Sequence, residues 1–415
     1  MQTRSHWALT LVFSLAMGAT ITVPVLLFYG IGQFKIMDLV GQQRALEMFA
    51  LCFGSVSVAM IVLSPLQGVI TDTSFAGRKK RRLWALLGSI FGSVSLAAFA
   101  QVDSIQWLFV FWLASVFCYG ICSSSLSALL ADTLNKTGYS KSPAMLGITI
   151  PVVIMCISIV IFALLADSTI AIKLVALIVV QLTAIVTALL FIPRIIGDAQ
   201  HSQEVVSVQT KTPFQRVQSY QHYRIVLLSK LLINLAISGT SVLSLFYVQR
   251  LALSQTAVFE LNAMLAIGII VLVISGAVAI HYSEKYAKQK PFLILGASLF
   301  ATAMLGYAFA DNLVLIVISS VLSQAGLGII QAIGNALVYR SLPTSRHFAR
   351  DIAIIDSTKH LSSSLIHFAA AAIVLVGVQL LGNDGYDFYF ICLGVITLLY
   401  ACVICFVQEL PEKST

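Results

Sequence analysis

The sequence predicts an all-α integral membrane protein of about twelve spanning helices, built as two pseudo-symmetric six-helix bundles with both termini cytoplasmic. Three observations predict it: the scarcity of charge, the placement of the charges that are present, and a repeat at half the chain length. Of 415 residues, 59% are hydrophobic and 10% charged, where a soluble domain carries about 25% charged residues. So few charges cannot cover an aqueous surface, and lipid must face most of the outside.

Apolar runs of about 20 residues, the length that crosses a bilayer, place the spans in order. Span 1 is expected at 7–29, span 2 at 45–70, span 3 at 83–101, span 4 at 107–130, span 5 at 143–166 and span 6 at 170–193. Span 7 follows at 225–248, then span 8 at 256–281, span 9 at 291–310, span 10 at 313–339, span 11 at 352–381 and span 12 at 387–408. Arg4 before the run Trp7 to Tyr29 imitates a secretory leader. The run is longer than a signal core of about 7–15 residues, and no small-residue cleavage site ends it, so it reads as a retained span. The domain boundaries that follow are an N-terminal bundle at 1–193, a cytoplasmic linker loop at 194–224 and a C-terminal bundle at 225–415 with a short tail. The linker's Gln, Ser and Thr with dispersed cations suit a flexible tether.

An even number of spans puts both ends on one side. Twenty of the 25 Lys and Arg then fall on that side, Arg78 to Arg82 and Lys285 to Lys290 among them. Lys35, Arg44, Lys173 and Arg250 fall on the other, and Lys359 lies inside span 11. The positive-inside rule makes the rich side cytoplasmic. It also accounts for the net charge of +8 without nucleic acid. Asn135-Lys-Thr137 fits a glycosylation acceptor but falls on the cytoplasmic side. Cys52, Cys118, Cys122, Cys156, Cys392, Cys402 and Cys405 all stand in apolar stretches. They read as soft packing residues, with no disulfide and no metal expected.

The two halves match at a constant offset of 208 residues: Gly68 on Gly276, Gly88 on Gly296, Asp103 on Asp311, Gly120 on Gly328, and Ala128-Leu-Leu on Ala336-Leu-Val. Two bundles related by an axis along the membrane normal are what a rocking carrier needs.

The loop after span 2 reads Gly68-Val-Ile-Thr-Asp72-Thr-Ser-Phe-Ala-Gly77-Arg78-Lys-Lys-Arg-Arg82. A glycine such as Gly68 lets a neighbouring helix approach closely. Asp72 at a helix end seeks a cation or a helix N-terminus. Gly77 permits a tight turn, and the basic run sits at anionic headgroups. A merely solvated loop explains the basic run but not the placing of Gly68, Asp72 and Gly77. The stretch resembles the loop signature of the major facilitator superfamily, Gly-x-x-x-Asp followed by Gly-Arg-Lys/Arg. Its longer gap between Asp and Gly looks more like the glycoside–pentoside–hexuronide cation symporters and the sucrose carriers. Ala128-Leu-Leu-Ala-Asp132 with Ala144-Met-Leu-Gly147 is similar to the span 4 to span 5 region of the same carriers. Ser127 stands where sucrose-type carriers place an arginine, which puts sucrose itself in doubt. Span 5 has Gly147 and Pro151 but not the Gly-Pro-x-x-Gly-Gly bend of many drug/proton antiporters.

The resemblance implies that spans 1, 4, 7 and 10 face a central cavity. Polar residues at helical spacing agree with a wet face. Candidate cavity residues are Tyr29 in span 1, Trp112, Tyr119, Ser123 and Ser127 in span 4, Asn234, Ser238 and Ser241 in span 7, and Gln324, Gln331 and Asn335 in span 10. Interhelical hydrogen bonding is the plainer explanation for the isolated serines; amides are costlier to hide from water. A lining of amides, hydroxyls and aromatics with no mid-span arginine suits a neutral polar, sugar-like solute. For the cytoplasmic gate the resemblance and the offset point to Gly68, Asp72, Gly77, Arg78, Asp132, Gly276 and Arg340, with Asp72 capping the start of span 11. Span 11 carries Asp356, Lys359, His360, Ser363, Ser364 and His367 at steps that share a face. Charge at mid-bilayer is costly and seldom faces lipid. Asp356, Lys359, His360 and His367 are therefore candidates for proton coupling, or for a structural ion-pair cluster with His367 as a packing residue.

No Gly-x-x-x-x-Gly-Lys-Ser/Thr loop occurs, so a self-contained ATP-driven pump is excluded. Neither His-Glu-x-x-His nor a nucleophile set is present, so no enzyme and no cofactor are expected. Three readings stay open: a proton- or cation-coupled importer of a sugar-like solute, an exporter of drug-like or metabolic solutes, and a non-transporting sensor or delivery factor. The expected partners are a small-molecule substrate, a proton or cation gradient and membrane lipid, with no nucleic acid. The expected setting is the plasma (cytoplasmic) membrane, as a multi-pass monomer. Topology is tested by cysteines introduced at Lys79, Gln209 and Gln42. The first two should react with an impermeant thiol reagent only from the cytoplasm and the third only from outside. Labelling of Lys79 and Gln42 positions from one side overturns the assignment.

Overall fold

The structure is a computed structural model that describes residues 15–16, 18–20, 22–73, 78–137, 158, 160–197, 213–286, 288–341 and 348–407. Among them, ten helices are long and apolar enough to cross a membrane. The two other expected spans, 7–29 and 143–166, lie partly outside the described residues. The described residues are helical throughout apart from short turns, and the chain is multi-pass, as composition requires. With no water to bond main-chain groups in hydrocarbon, a helix that satisfies its own backbone is one of the few ways across.

The chain falls into two compact units. The first comprises Met1–Cys52, Ala59–Val206 and Ser254–Met264, and the second Phe53–Val58, Ser207–Leu253 and Leu265–Thr415. The first holds α1 (Gly32–Val40), most of α2 (Gln42–Thr73), α3 (Arg78–Gln101), α4 (Ile105–Thr137), α5 (Ile170–Gly197) and the first part of α8 (Gln255–Ala266). The second holds α6 (Pro213–Gly239), α7 (Leu243–Arg250), α9 (Gly268–Lys285), α10 (Lys290–Ala308), α11 (Leu313–Ser341), α12 (Phe348–Leu381) and α13 (Tyr386–Phe406).

Four expectations about local structure need correction. The expected loop after span 1 is largely helix. A π turn at Leu27–Ile31 leads straight into α1, and the Gln33 side chain donates to the Phe28 carbonyl at 2.9 Å. The helix stops only at Gly41, whose φ of +81° a side chain would disfavour. Gln33, Lys35 and Asp38 end the apolar run without ending the helix. Second, the expected linker is shorter than 194–224: α5 runs on to Gly197 and α6 starts at Pro213, a residue preorganised for a helix's first position. Third, spans 7 and 8 are broken. A 3₁₀ turn at Thr240–Val242 separates α6 from α7, and a turn at Ile267 separates α8 from α9.

The fourth correction is Gly68. A Cβ there would meet nothing within 4 Å, so it is not a point of close helix approach. That role belongs to Gly120 in the facing helix. A Cβ on it would stand 2.1 Å from the Gln67 amide.

The repeat is written into contacts that each unit makes internally. Gly88 of α3 presses on α4 so closely that a Cβ would lie 2.7 Å from the Cys118 carbonyl, with Cys122 next to it. Gly296 of α10 presses on α11 with a Cβ position 3.0 Å from the Gly326 carbonyl and Ile330. Cys118 and Cys122 match Gly326 and Ile330 at the same offset of 208. Gln67 donates to the Phe117 carbonyl at 3.1 Å; Ser275 donates to the Ala325 carbonyl at 3.0 Å. These donors and acceptors are again offset partners. Gly328, the partner of Gly120, would put a Cβ 2.1 Å from the Leu272 carbonyl.

Between these contacts the first unit is filled by small residues: Ala16, Ala19, Ala85, Cys122 and Ala188, with Leu126 and Ile185. Small residues let membrane helices approach where dispersion replaces the hydrophobic effect. Large apolar side chains point outward instead, among them Val62, Leu164, Leu190, Val314 and Phe406. Gly328→Ala is expected to destabilise by about 1–3 kcal/mol through overpacking. Gly68→Ala should be neutral or stabilise by about 0.5–1 kcal/mol, because it removes a helical glycine. Thermal unfolding of the detergent-solubilised protein reads both, and equal losses would refute the contact assignment.

Candidate functional site

In the second unit the polar residues of span 7 converge on span 11. α6 ends at Gly239, whose carbonyl accepts from the Tyr389 hydroxyl at 2.9 Å. Leu393 fills the space a side chain there would need. The following 3₁₀ turn carries Ser241, fully buried, towards α12. Its hydroxyl lies 2.7 Å from His367 Nε2. His367 Nδ1 lies 2.5 Å from the Ser363 carbonyl, one turn earlier. A carbonyl can only accept, so Nδ1 carries the proton. In the neutral ring Nε2 is then the acceptor and Ser241 the donor. Charging the ring would make Nε2 a donor and oblige the Ser241 hydroxyl to turn round. The Phe53 ring sits 4.4 Å from the imidazole, and Ser57 reaches Ser363 Oγ at 3.2 Å. His367 is 1% exposed, so a proton reaches it only when surrounding side chains move.

The expected common face of span 11 divides. Ser363, Ser364 and His367 are buried, whereas Lys359 is exposed and His360 half-buried. Ser362, off that face, is also buried and donates to the Leu231 carbonyl at 2.8 Å. The side chain of Asp356 lies outside the described residues.

The other cavity candidates are placed as follows. Ser238 is buried, and Asn234, Gln324 and Gln331 are half-buried. Gln324 packs its stem on Gly268, where a Cβ would stand 3.3 Å from it. In the first unit Trp112 is enclosed by Phe49 and Phe99, with ring centroids at 6.3 and 5.9 Å. A Cβ at Gly32 would come within 2.7 Å of its ring. Tyr119 shares a hydrogen bond of 3.1 Å with Ser93 and covers Gly92. Both aromatics thus hold helices together inside the unit; Ser123 is half-buried. The side chains of Tyr29, Ser127 and Asn335 are outside the described residues. So are the gate candidates Asp72, Gly77, Arg78, Asp132 and Arg340. Gly276 is described, and a Cβ there would be 3.0 Å from the Gly328 carbonyl.

Sequence reasoning missed two charged sites, although both involve cations it had set apart as exceptions to the charge rule. At the end of the second unit where α10 finishes, Arg250 donates to the Ala308 carbonyl at 3.2 Å and pairs with Asp311 at 3.0 Å, with Asp384 at 3.7 Å and with Asp387. Asn383 also bonds Asp387. Beneath lies a ring cluster of Phe246, Tyr386 and Phe390 with centroids 5.2–6.4 Å apart. In the first unit, where α3 finishes, a cavity of about 430 Å³ is lined by Lys35, Asp38, Asp167, Lys173 and Gln255 among others.

No family model matches the sequence, and no curated protein does. Solved structures do match. A D-xylose-proton symporter superposes with TM-score 0.69 at 15% identity, covering 99% of this chain and 99% of that one. The nucleoside transporter NupG gives 0.65 at 14% identity over 96% of this chain and 98% of that one. The human organic anion transporter MFSD10 (TETRAN) gives 0.62 at 13% identity over 96% and 99%. The chain has the major facilitator fold. At these identities the likeness is one of fold, and function has to be argued from the residues.

The Arg250 cluster makes a graded prediction. Asp387 is well covered and Asp311 is 80% exposed. Asp311→Asn should change stability by no more than about 1 kcal/mol, the range of exposed pairs. Asp387→Asn and Arg250→Gln should each lower the thermal midpoint clearly further. Equal effects of the two aspartate variants would contradict the cluster as described.

Proposed function

We propose that this chain is a secondary transporter that moves a small, neutral, sugar-like polar solute across the plasma membrane by alternating access. It works as a monomer with cytoplasmic termini, the 1–193 and 225–415 bundles rocking about a central cavity, and takes up solute with a proton or another cation. The observation that carries this reading is the fold, shared over nearly the whole chain with carriers whose names cite D-xylose and a proton, nucleosides and organic anions. Those solutes differ widely, so the fold supports transport and leaves the solute to the lining. The preference for a neutral solute rests on the amides and hydroxyls of spans 7 and 10 and on the absence of a mid-span arginine in the sequence. The nearer likeness to the glycoside–pentoside–hexuronide and sucrose carriers rests on the Gly68–Arg82 and Ala128–Gly147 segments alone. Export on the same scaffold is the alternative reading.

His367 is the residue we assign to coupling. In its neutral state both ring nitrogens are bonded; charging it calls for a rotated Ser241 hydroxyl and for an opening of the buried site that solvates the cation. A histidine exposed to water changes charge near physiological pH. The site is closed, which suits a proton that is loaded in one state and released in another. Asp356, Lys359 and His360 lie along the same helix towards the Arg350 end and complete the proposed coupling set. Asp72, Asp132 and Arg340 are assigned to the gate at that end.

Uptake of labelled D-xylose, a nucleoside and an organic anion into vesicles, with and without a proton gradient, tests the transport reading. Binding without flux for every solute would favour a sensor. His367→Gln should abolish accumulation driven by the gradient while sparing downhill exchange. A variant that still accumulates solute with normal pH dependence would make His367 a packing residue.

A further inference from the structure

α3 and α10 are capped in the same way in the two units, and what surrounds each end differs. In the second unit Arg250 caps α10 by donating to the Ala308 carbonyl. In the first, Lys35 caps α3 by donating to the Ala100 carbonyl at 3.1 Å. Ala100 and Ala308 are partners at the offset of 208. Around Arg250 the unit supplies its own anions: Asp311, Asp384 and Asp387. Around Lys35 it supplies a cavity of about 430 Å³, within the range of about 300–1,000 Å³ typical of ligand sites.

A second cation borders that cavity. Lys173 is 3% exposed. Its ammonium donates to the Ala166 carbonyl at 2.7 Å and lies 4.0 Å from the centre of the Phe259 ring. That uses one of its three N–H donors, and no other described protein group accepts from it. Two carboxylates also line the space. Asp38 accepts from the Gln255 amide at 2.8 Å, and Asp167 is exposed and acts on Lys173 only through space. Among the described residues, neither lysine forms an ion pair with either aspartate. A buried ammonium lacking a carboxylate is costly, and the second unit meets that need from within.

We propose that this cavity binds a soluble, hydroxylated carboxylate. Its carboxylate sits on Lys173 and Lys35, where the second unit seats its own aspartates. Its hydroxyls donate to Asp38 and Asp167. None of the residues proposed for the central cavity lines this one, and its binding can be measured without flux.

The test uses the full chain in nanodiscs of zwitterionic lipid, with D-gluconate as probe and sorbitol as its uncharged counterpart. Calorimetric titration should show saturable gluconate binding and at least tenfold weaker sorbitol binding. Lys173→Gln and Lys35→Gln should each weaken gluconate at least tenfold, and Lys288→Gln, which does not line the cavity, should not. Should Lys173→Gln fail to fold, Lys35→Gln and the comparison of the two probes on the unaltered protein decide. Nanodiscs containing phosphatidylglycerol distinguish a lipid headgroup from a soluble ligand: gluconate binding should persist there. Equal binding of gluconate and sorbitol, indifference to Lys35→Gln, or loss of gluconate binding to the anionic lipid would overturn the proposal.

Discussion

Helix backbones touching at glycine are the constraint on which both units rest. Lipid tails are as apolar as leucine, so these helices gain little from hiding apolar surface from one another. They gain from dispersion at short range and from the occasional interhelical hydrogen bond. Both need the backbones close, and Gly88 against α4 and Gly296 against α11 bring them close. Once those pairs are seated, Gln67 reaches the Phe117 carbonyl and Ser275 reaches the Ala325 carbonyl. The polar side chain differs between the halves, and the acceptor stays at the equivalent place. Geometry has been kept where residue identity has not.

Polar groups inside the units follow from the same constraint. A hydroxyl or amide in hydrocarbon is costly to leave unpaired, and several of the described serines and threonines find a partner within their own helix. Thr22 bonds Gly18, Ser229 bonds Val226 and Thr397 bonds Leu393, each through a main-chain carbonyl. Against that background the chain of Ser241, His367, Ser363 and Ser57 stands apart. It joins side chains from three segments, and its central member can exist in two charge states.

The ends of the units show how a repeat diverges. α3 and α10 each end in a carbonyl capped by a cation from the same unit, Lys35 of α1 and Arg250 of α7. One copy is locked by aspartates over an aromatic cluster. The other has aspartates out of pairing range and an open space. An arginine offers a planar fork that several carboxylates can share, while a lysine offers a single ammonium. The arginine end is closed and the lysine end open.

The sequence alone determined the class, the approximate spans and the repeat, because burial in lipid imposes a length and a composition that need no tertiary contact to be read. Gly88, Gly120 and their partners could be matched by offset before any contact was known. What each glycine touches could not. Gly68 shares the offset yet faces open space, and only the packed helices showed Gly120 taking the close approach. The helix beyond span 1 was hidden because Lys35 and Asp38 end an apolar run without ending a helix. Among the site residues, helical spacing picked out His367 and Ser241 separately. It could not join them, since their contact spans 126 positions and depends on a 3₁₀ turn that a polar count does not register. The lysine cavity was equally illegible: Lys35, Lys173 and Gln255 meet only after the chain folds back on itself. A sequence records which charges break the topological rule, and the fold decides what stands beside them.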